Sequence, residues 1–532
     1  EKVKPRFWLP LICFSIGMFT AIEIWIEDNE GFWFIGEEGL VTNFITSGLL
    51  KIFAPFLLWI GGAIILGRIG AKGPEILVKV FGETALLSDI KRGLTNSTSS
   101  ETVNRLAVIM LLTLSIVTLA AIQGFTGTDV DERTASADIG ADLQVQFVDP
   151  VSKEQAEAAV KNAIERTNNG EISKIKSSAS VGTIYPTVKG NSGVVTTYVV
   201  FDNTENTLIW DKQAVPNRNI DYTINELSND RFTAGEGAVS LLDLPDNDDF
   251  ESDDSAFEYK ITLEYPDYKF RLNETGSPEI DFVNSTFRET QVTYIGKHEW
   301  IPGISSIDTN NAIIIGENSY RKLVGTERAD AYVSNIWFFE LCNQDDKDCK
   351  SALSKVAVET GNNEIVFSSR DWASSHEDVE TNGGLIFGTQ GLLSLQFMIS
   401  SVAVVASAFV FLSLVLDQRS KELAILQAIG ASPNQIRKLV LFEILSIIIV
   451  SMTLGVLLGI GVAQTFNGFF FVFGFIFQIF LGNATPIDRE LVWPWAEIIV
   501  VNISVLIAVV IALVLTTRKV LNANLAMILK GE

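Results

Sequence analysis

Two histidines, three cysteines and one dense run of carboxylates are the residues with which this 532-residue chain could do chemistry. His298 and His376 have no Cys or second His at ligand spacing, so each reads as a packed or solvated residue and not as a metal ligand or catalytic base. Cys342 and Cys349 bracket six polar residues, which suits a disulfide in an exported segment. Metal binding is the weaker alternative there, because no second pair or nearby His completes a zinc set, and Cys13 stands alone in an apolar stretch. DLPDNDDFESDD, residues 243–254, has the composition for calcium but lacks the glycine and terminal Glu spacing of an EF-hand loop, which leaves a solvated acidic loop. There is no G-x-x-x-x-G-K-S/T (GRIGAKG at 67–73 lacks the hydroxyl and the glycine spacing) and no G-x-S-x-G elbow. The chain therefore reads as no enzyme, with no cofactor of its own.

The most informative spacing belongs to QRSKELAILQAIGASPNQIRK, residues 418–438. Leu423, Leu426 and Ile429 fall on one helical face, with Lys421, Glu422 and Gln427 off it. Gly430 occupies a helix C-terminus, where positive φ is wanted. Ser432-Pro433-Asn434-Gln435 reads as an N-cap, a proline at the first helical position and a capping-box Gln. The pattern predicts a short amphipathic helix, a sharp turn and a new helix entering the membrane. A connecting loop that happens to be amphipathic is the alternative.

The elements that carry this loop are set by hydropathy and charge. Apolar residues make up 47% of the chain, yet its net charge is −24. Residues 126–385 hold 46 acidic and 22 basic residues, so the whole excess lies there and the remainder is neutral. An acidic domain is thus inserted in an apolar one, and nucleic acid is disfavoured as a partner. Six segments are long and apolar enough to span a bilayer: 7–27, 46–67, 104–125, 391–416, 438–466 and 493–517. The first is too long, and lacks the cleavage site, for a signal peptide. The eight phenylalanines of 466–480 read as an interfacial helix, since Gly468 and Gly474 would weaken a span. Ionisable residues deep in the spans look nearly absent, Glu443 excepted, which disfavours an ion-coupled transporter. Basic residues near 2–6, 72–105, 419–438 and 518–519 place both termini and the 418–438 loop in the cytoplasm and the acidic domain outside.

Within the acidic domain, LQVQFV (143–148), a helical 152–167 and two further strand-like runs give a β-α-β-β order and an α+β lobe. The size of the domain predicts two lobes. Thr98-Ser-Ser-Glu101 reads as a capping box opening the third span, which should run on into this lobe.

The 418–438 stretch resembles the signature of FtsX-like permeases of the FtsX/MacB/Lol class. Lys421-Glu422-Leu423, Gln427-Ala428-Ile429-Gly430-Ala431-Ser432 and Gln435-Ile436 match in order, and Gln427 replaces a usual Arg. The resemblance implies a multi-span α-helical membrane protein with a large inserted extracytoplasmic α+β domain of MacB-like build. Its layout would be two linking helices (1–70), a cytoplasmic connector (71–103), a transmembrane helix (104–125), the exported domain (126–386) and three more helices (387–532). It implies a permease subunit that relays ATP-driven closure of a separate ABC-type ATPase pair, which would bind ATP and Mg, to the external domain. The outcome would be extrusion of a lipid, lipoprotein, peptide or similar substrate across the cytoplasmic membrane. Leu423, Leu426 and Ile429 would dock in the ATPase, Arg419, Lys421, Glu422 and Gln427 would lie around them, and Gly430 and Ser432 would set the turn. The rival readings are a regulator of an external enzyme and a structural or binding membrane protein without ATP. The layout also resembles the C-terminal half of a ten-span member, so a second permease half, or a second copy, is expected as partner.

Overall fold

The computed structural model describes residues 8–30, 44–81, 100–167, 170–190, 193–201, 204–216, 219–245, 259–272, 278–280, 285–343, 346–387, 432–481, 489–521 and the single residues 402, 406, 425, 430 and 487. They fall into two compact units, residues 1–129 with 384–484 and 489–532, and residues 130–383 with 485–488.

The first unit is helical. Among the described residues four helices are long and apolar enough to cross a membrane: Trp8–Ile26, Gly48–Gly70, Ala107–Ile139 and Ile444–Phe470, with Trp495–Ile511 a shorter apolar helix. The expected fourth span, 391–416, lies outside the described residues apart from the helical Val402 and Ala406. Small residues bring these helices together, as packing without a hydrophobic drive requires. A Cβ on Gly17 would lie 2.6 Å from Leu58, and one on Gly61 2.5 Å from the Phe14 nitrogen, which makes Trp8–Glu30 and Phe44–Gly70 an antiparallel hairpin in near backbone contact. On Pro433–Leu481, Gly455 and Gly459 are one turn apart, and Cβ atoms there would meet Leu111 O at 3.0 Å and Thr118 Cβ at 2.7 Å of the Ser100–Ile139 helix. Leu58, Leu111, Leu458 and Val462 fill the centre of the bundle.

Two of these helices far exceed a bilayer. At about 1.5 Å per residue, the 49-residue Pro433–Leu481 helix is about 74 Å long and the 40-residue Ser100–Ile139 helix about 60 Å, against roughly 30 Å of hydrocarbon. The separate interfacial helix expected over 466–480 does not form, because the backbone stays α-helical through to Leu481. Gly468 is small because Ile24 and Lys51 pack over it, with a Cβ there 2.5 Å from Ile24 Cδ1. The expected opening of Ser100–Ile139 at Thr98 falls partly outside the described residues, and the helix does run unbroken to Ile139.

The second unit carries one ten-stranded sheet in the spatial order Val366–Asp371, Leu143–Val151, Ser334–Glu340, Ser177–Ile184, Thr196–Val200, Ala312–Gly316, Arg231–Ala234, Thr286–Lys297, Lys260–Asp267, Thr187–Val188. Pairing is antiparallel except for Ala312–Gly316 on Thr196–Val200 and Arg231–Ala234 on Thr286–Lys297. Where two lobes were expected there are separate hydrophobic cores on one continuous sheet. One contains Leu143, Val145, Phe147, Trp337 and Phe339 under the Lys153–Thr167 and Lys347–Gly361 helices. Another contains Val199, Phe232, Leu263, Val292, Ile313 and Leu323.

Candidate functional site

The 418–438 turn is the site to which the sequence points. Gly430 has φ +106, and a Cβ on it would meet nothing within 4 Å, so glycine is required there by backbone conformation and not by space. Two residues on, the capping box closes reciprocally: Gln435 N donates to Ser432 Oγ at 3.3 Å, and Ser432 N donates to Gln435 Oε1 at 3.0 Å. Pro433 then opens the long helix. Ser432, Asn434, Gln435 and Lys438 are exposed, as are Gly430 and the helical Ile425. The turn thus leaves polar groups exposed at the start of the long helix. Arg419, Lys421, Glu422, Leu423, Leu426, Gln427 and Ile429 lie outside the described residues, and so does the Glu443 side chain.

At the other end of this helix, a buried polar cluster joins segments far apart in sequence. Arg489 Nη2 donates to Gln123 Oε1 at 2.6 Å, and its guanidinium sits 4.6 Å over the Phe470 ring. Gln123 Nε2 donates to Ala463 O at 3.0 Å, Asn467 Nδ2 to Arg489 O at 3.0 Å, and Val492 N to Thr126 Oγ1 at 3.0 Å. Gln123, Thr126 and Asn467 are all buried. In an apolar medium such groups hold the helices together because the alternative is an unsatisfied polar atom. The sequence pattern gives no sign of this cluster, whose hydrogen-bonded partners are up to 366 residues apart.

In the sheet unit, the end of the Ser100–Ile139 helix is pinned on two sides. Arg133 grips Asp211 bidentately, Nε to Oδ2 at 2.6 Å and Nη2 to Oδ1 at 2.9 Å, and Asp211 also accepts from Gln213 N. Burial works against the Asp211 carboxylate, but the Arg133 hydrogen bond and charge outweigh it and hold its pKa below the ordinary value. On the other side Trp372 Nε1 donates to Ser136 Oγ at 2.9 Å, and Asp138 accepts from Ser375 Oγ at 3.1 Å and from Arg370. The helix Trp372–Phe387 is therefore fastened to Ser100–Ile139 at their shared end. Gly140, at φ +80, ends the latter helix where a Cβ would stand 2.7 Å from Gly303 N.

Cys342 and Cys349 are joined by a disulfide, with Cα atoms 5.7 Å apart. Asp346 caps the following helix by accepting from Cys349 N at 3.1 Å. Asp142 Oδ2 accepts from Leu341 N at 2.8 Å and Cys342 N at 2.7 Å; burial raises its carboxyl pKa despite these bonds, which favour the charged form. His298 is buried, with Nδ1 3.0 Å from Thr233 Oγ1 and Nε2 3.2 Å from Thr309 O, and burial lowers its pKa to about 4. It is a packed neutral imidazole. His376 stacks on Trp372 at 4.9 Å between centroids, with Lys350 Nζ 4.0 Å over the same indole. Among the described residues no group of three or more His, Cys, Asp or Glu could hold a metal ion. Only the first residues of the acidic loop 243–254 are described, Asp243 among them in a left-handed C-cap.

Residues 392–525 match the family model for the FtsX-like permease C-terminal domain. This segment contains the Gly430 turn and the whole of the Pro433–Leu481 helix. No curated protein matches the chain.

Proposed function

We propose that this membrane protein, which carries an FtsX-like permease domain, is the permease subunit of an ABC system of the FtsX/MacB type, acting by transmission and not by passing substrate between its helices. The observation that carries the reading is the turn at Gly430 and Ser432: a positive-φ glycine and a reciprocal capping box start a 49-residue helix inside the FtsX-like segment. A lever of this kind turns a push at its start into a displacement at its far end. Leu423, Leu426 and Ile429 dock on an ATPase that binds ATP and Mg, with Arg419, Lys421, Glu422 and Gln427 around them. In this reading the chain crosses the membrane six times, its basic flanks keep both termini and this turn in the cytoplasm, and residues 126–386 lie outside. The motion reaches the external domain along Ser100–Ile139 and the helix fastened to it at Trp372, and it drives extrusion of a lipid, lipoprotein or peptide. A second FtsX-like half, or a second copy of this chain, completes the pair of docking turns.

Gly430→Pro and Glu422→Arg test the reading. Proline at 430 forbids positive φ, and Arg at 422 reverses a rim charge. Both variants should reach the membrane at wild-type level and lose transport while the partner's ATP hydrolysis continues. Wild-type transport by both would show that the turn couples nothing.

A further inference from the structure

Among the described side chains of the first hairpin, the charged ones that are buried are Glu23 and Lys51, 1% and 7% exposed. Each lies about one turn inside a span end, Glu23 within Trp8–Ile26 and Lys51 within Gly48–Gly70. The helix crossing gives their register. Gly17 meets Leu58, and Gly61 meets Phe14. In an antiparallel pair the two numbers at one level have a constant sum, which is 75 in both contacts. Two turns further along, that sum sets Ile24 level with Lys51, one residue from Glu23. An independent contact agrees: Ile24 Cδ1 and Lys51 Cγ both reach the same residue, Gly468, on the long helix.

We infer that Glu23 and Lys51 form an ion pair inside the bundle that clamps the first hairpin onto the Pro433–Leu481 helix at Gly468. A carboxylate and an ammonium buried separately would each carry a large desolvation penalty, and placing them together offsets it. Neither side chain is without a partner. Gln464, also buried and one turn before Gly468, is the competing polar group at this level. Gly468 leaves room for Ile24 and Lys51 to cross the face of the long helix, where a Cβ would stand 2.5 Å from Ile24 Cδ1 and 3.4 Å from Lys51 Cγ. The hairpin is then a fixed part of the moving bundle and not a loose linking pair. The inference stands whether or not the chain couples to an ATPase.

The test is a charge exchange in the full chain, read as the thermal midpoint of the detergent-solubilised protein. Glu23→Lys and Lys51→Glu alone each bury two like charges and should lower the midpoint by about 5 °C or more. The exchange E23K/K51E should recover most of that loss, and the neutral pair E23Q/K51M should lose less than E23Q or K51M alone. Because single variants can fail to fold, proximity is read separately: E23C/K51C in a C13A background should cross-link under mild oxidation, protecting two thiols from alkylation. Additive losses in the exchange, as a Glu23–Gln464 contact would give, overturn the pair, and so does absence of the cross-link.

Discussion

Acidification should destabilise the sheet unit through His298, and the amount follows from its surroundings. The imidazole is fully enclosed, with one nitrogen facing Thr233 and the other Thr309, so the folded protein resists protonation until about pH 4. The unfolded chain takes the proton near the ordinary 6.5. A depressed folded pKa means that the stabilisation is complete above pH 6.5 and is lost as pH falls toward 4, where the loss levels off. The gap of about 2.5 pH units at about 1.36 kcal/mol each gives about 3 kcal/mol. His298→Gln keeps a donor for Thr309 and cannot titrate. Urea unfolding of wild type and H298Q in detergent, followed by pulse proteolysis at pH 7 and pH 4, reads the effect as a difference. Contributions from Asp142, Asp211 and other carboxylates cancel in that difference. Wild type should lose about 3 kcal/mol more than H298Q over this interval. Parallel pH profiles would refute the argument, for they would mean that the ring protonates without unfolding its pocket.

Three further outcomes are expected. Asp211→Asn removes the charge that Arg133 grips and should lower unfolding stability at pH 7 by about 1.5–3 kcal/mol, with the difference from wild type vanishing as pH falls below the carboxylate range, where Asp211 itself protonates. Gly459→Leu puts a side chain where a Cβ already stands 2.7 Å from Thr118 Cβ, so the bundle should open and the monodisperse peak in size exclusion should collapse, whereas Leu457→Ala, at an exposed position on the same helix, should leave it intact. In intact cells Cys342 and Cys349 should resist a membrane-impermeant thiol reagent until reduced and then label from outside; labelling without reductant would exclude the disulfide, and labelling only from the cytoplasmic side would invert the topology.

The parts legible in the sequence are those fixed by residues close together. The turn at Gly430 and the Ser432–Gln435 box are local chemistry, since only certain residue types take positive φ or cap a helix. The β-α-β-β start of the acidic domain was readable from alternation and helical spacing for the same reason, and the chain follows it from Leu143 to Val200. Contacts set by tertiary register were not readable. Glu23 and Lys51 look like isolated charges near span ends until the glycine crossing brings them within one residue of the same level, and Arg489 looks like a loop cation until Gln123 and Asn467 are brought to it. The sheet order interleaves early and late strands, so one continuous sheet replaced the two lobes that domain size implied. Gly468 was misread as a helix-weakening residue because its reason lies on neighbouring helices.

The most direct test of the central claim is native mass spectrometry of the chain extracted from its own membrane in mild detergent, with ATP hydrolysis measured on the same sample. The account predicts a complex holding two copies of an ABC-type ATPase, and hydrolysis that survives Gly430→Pro while transport does not. A chain released alone, or with copies of itself only and no ATPase activity, would contradict it.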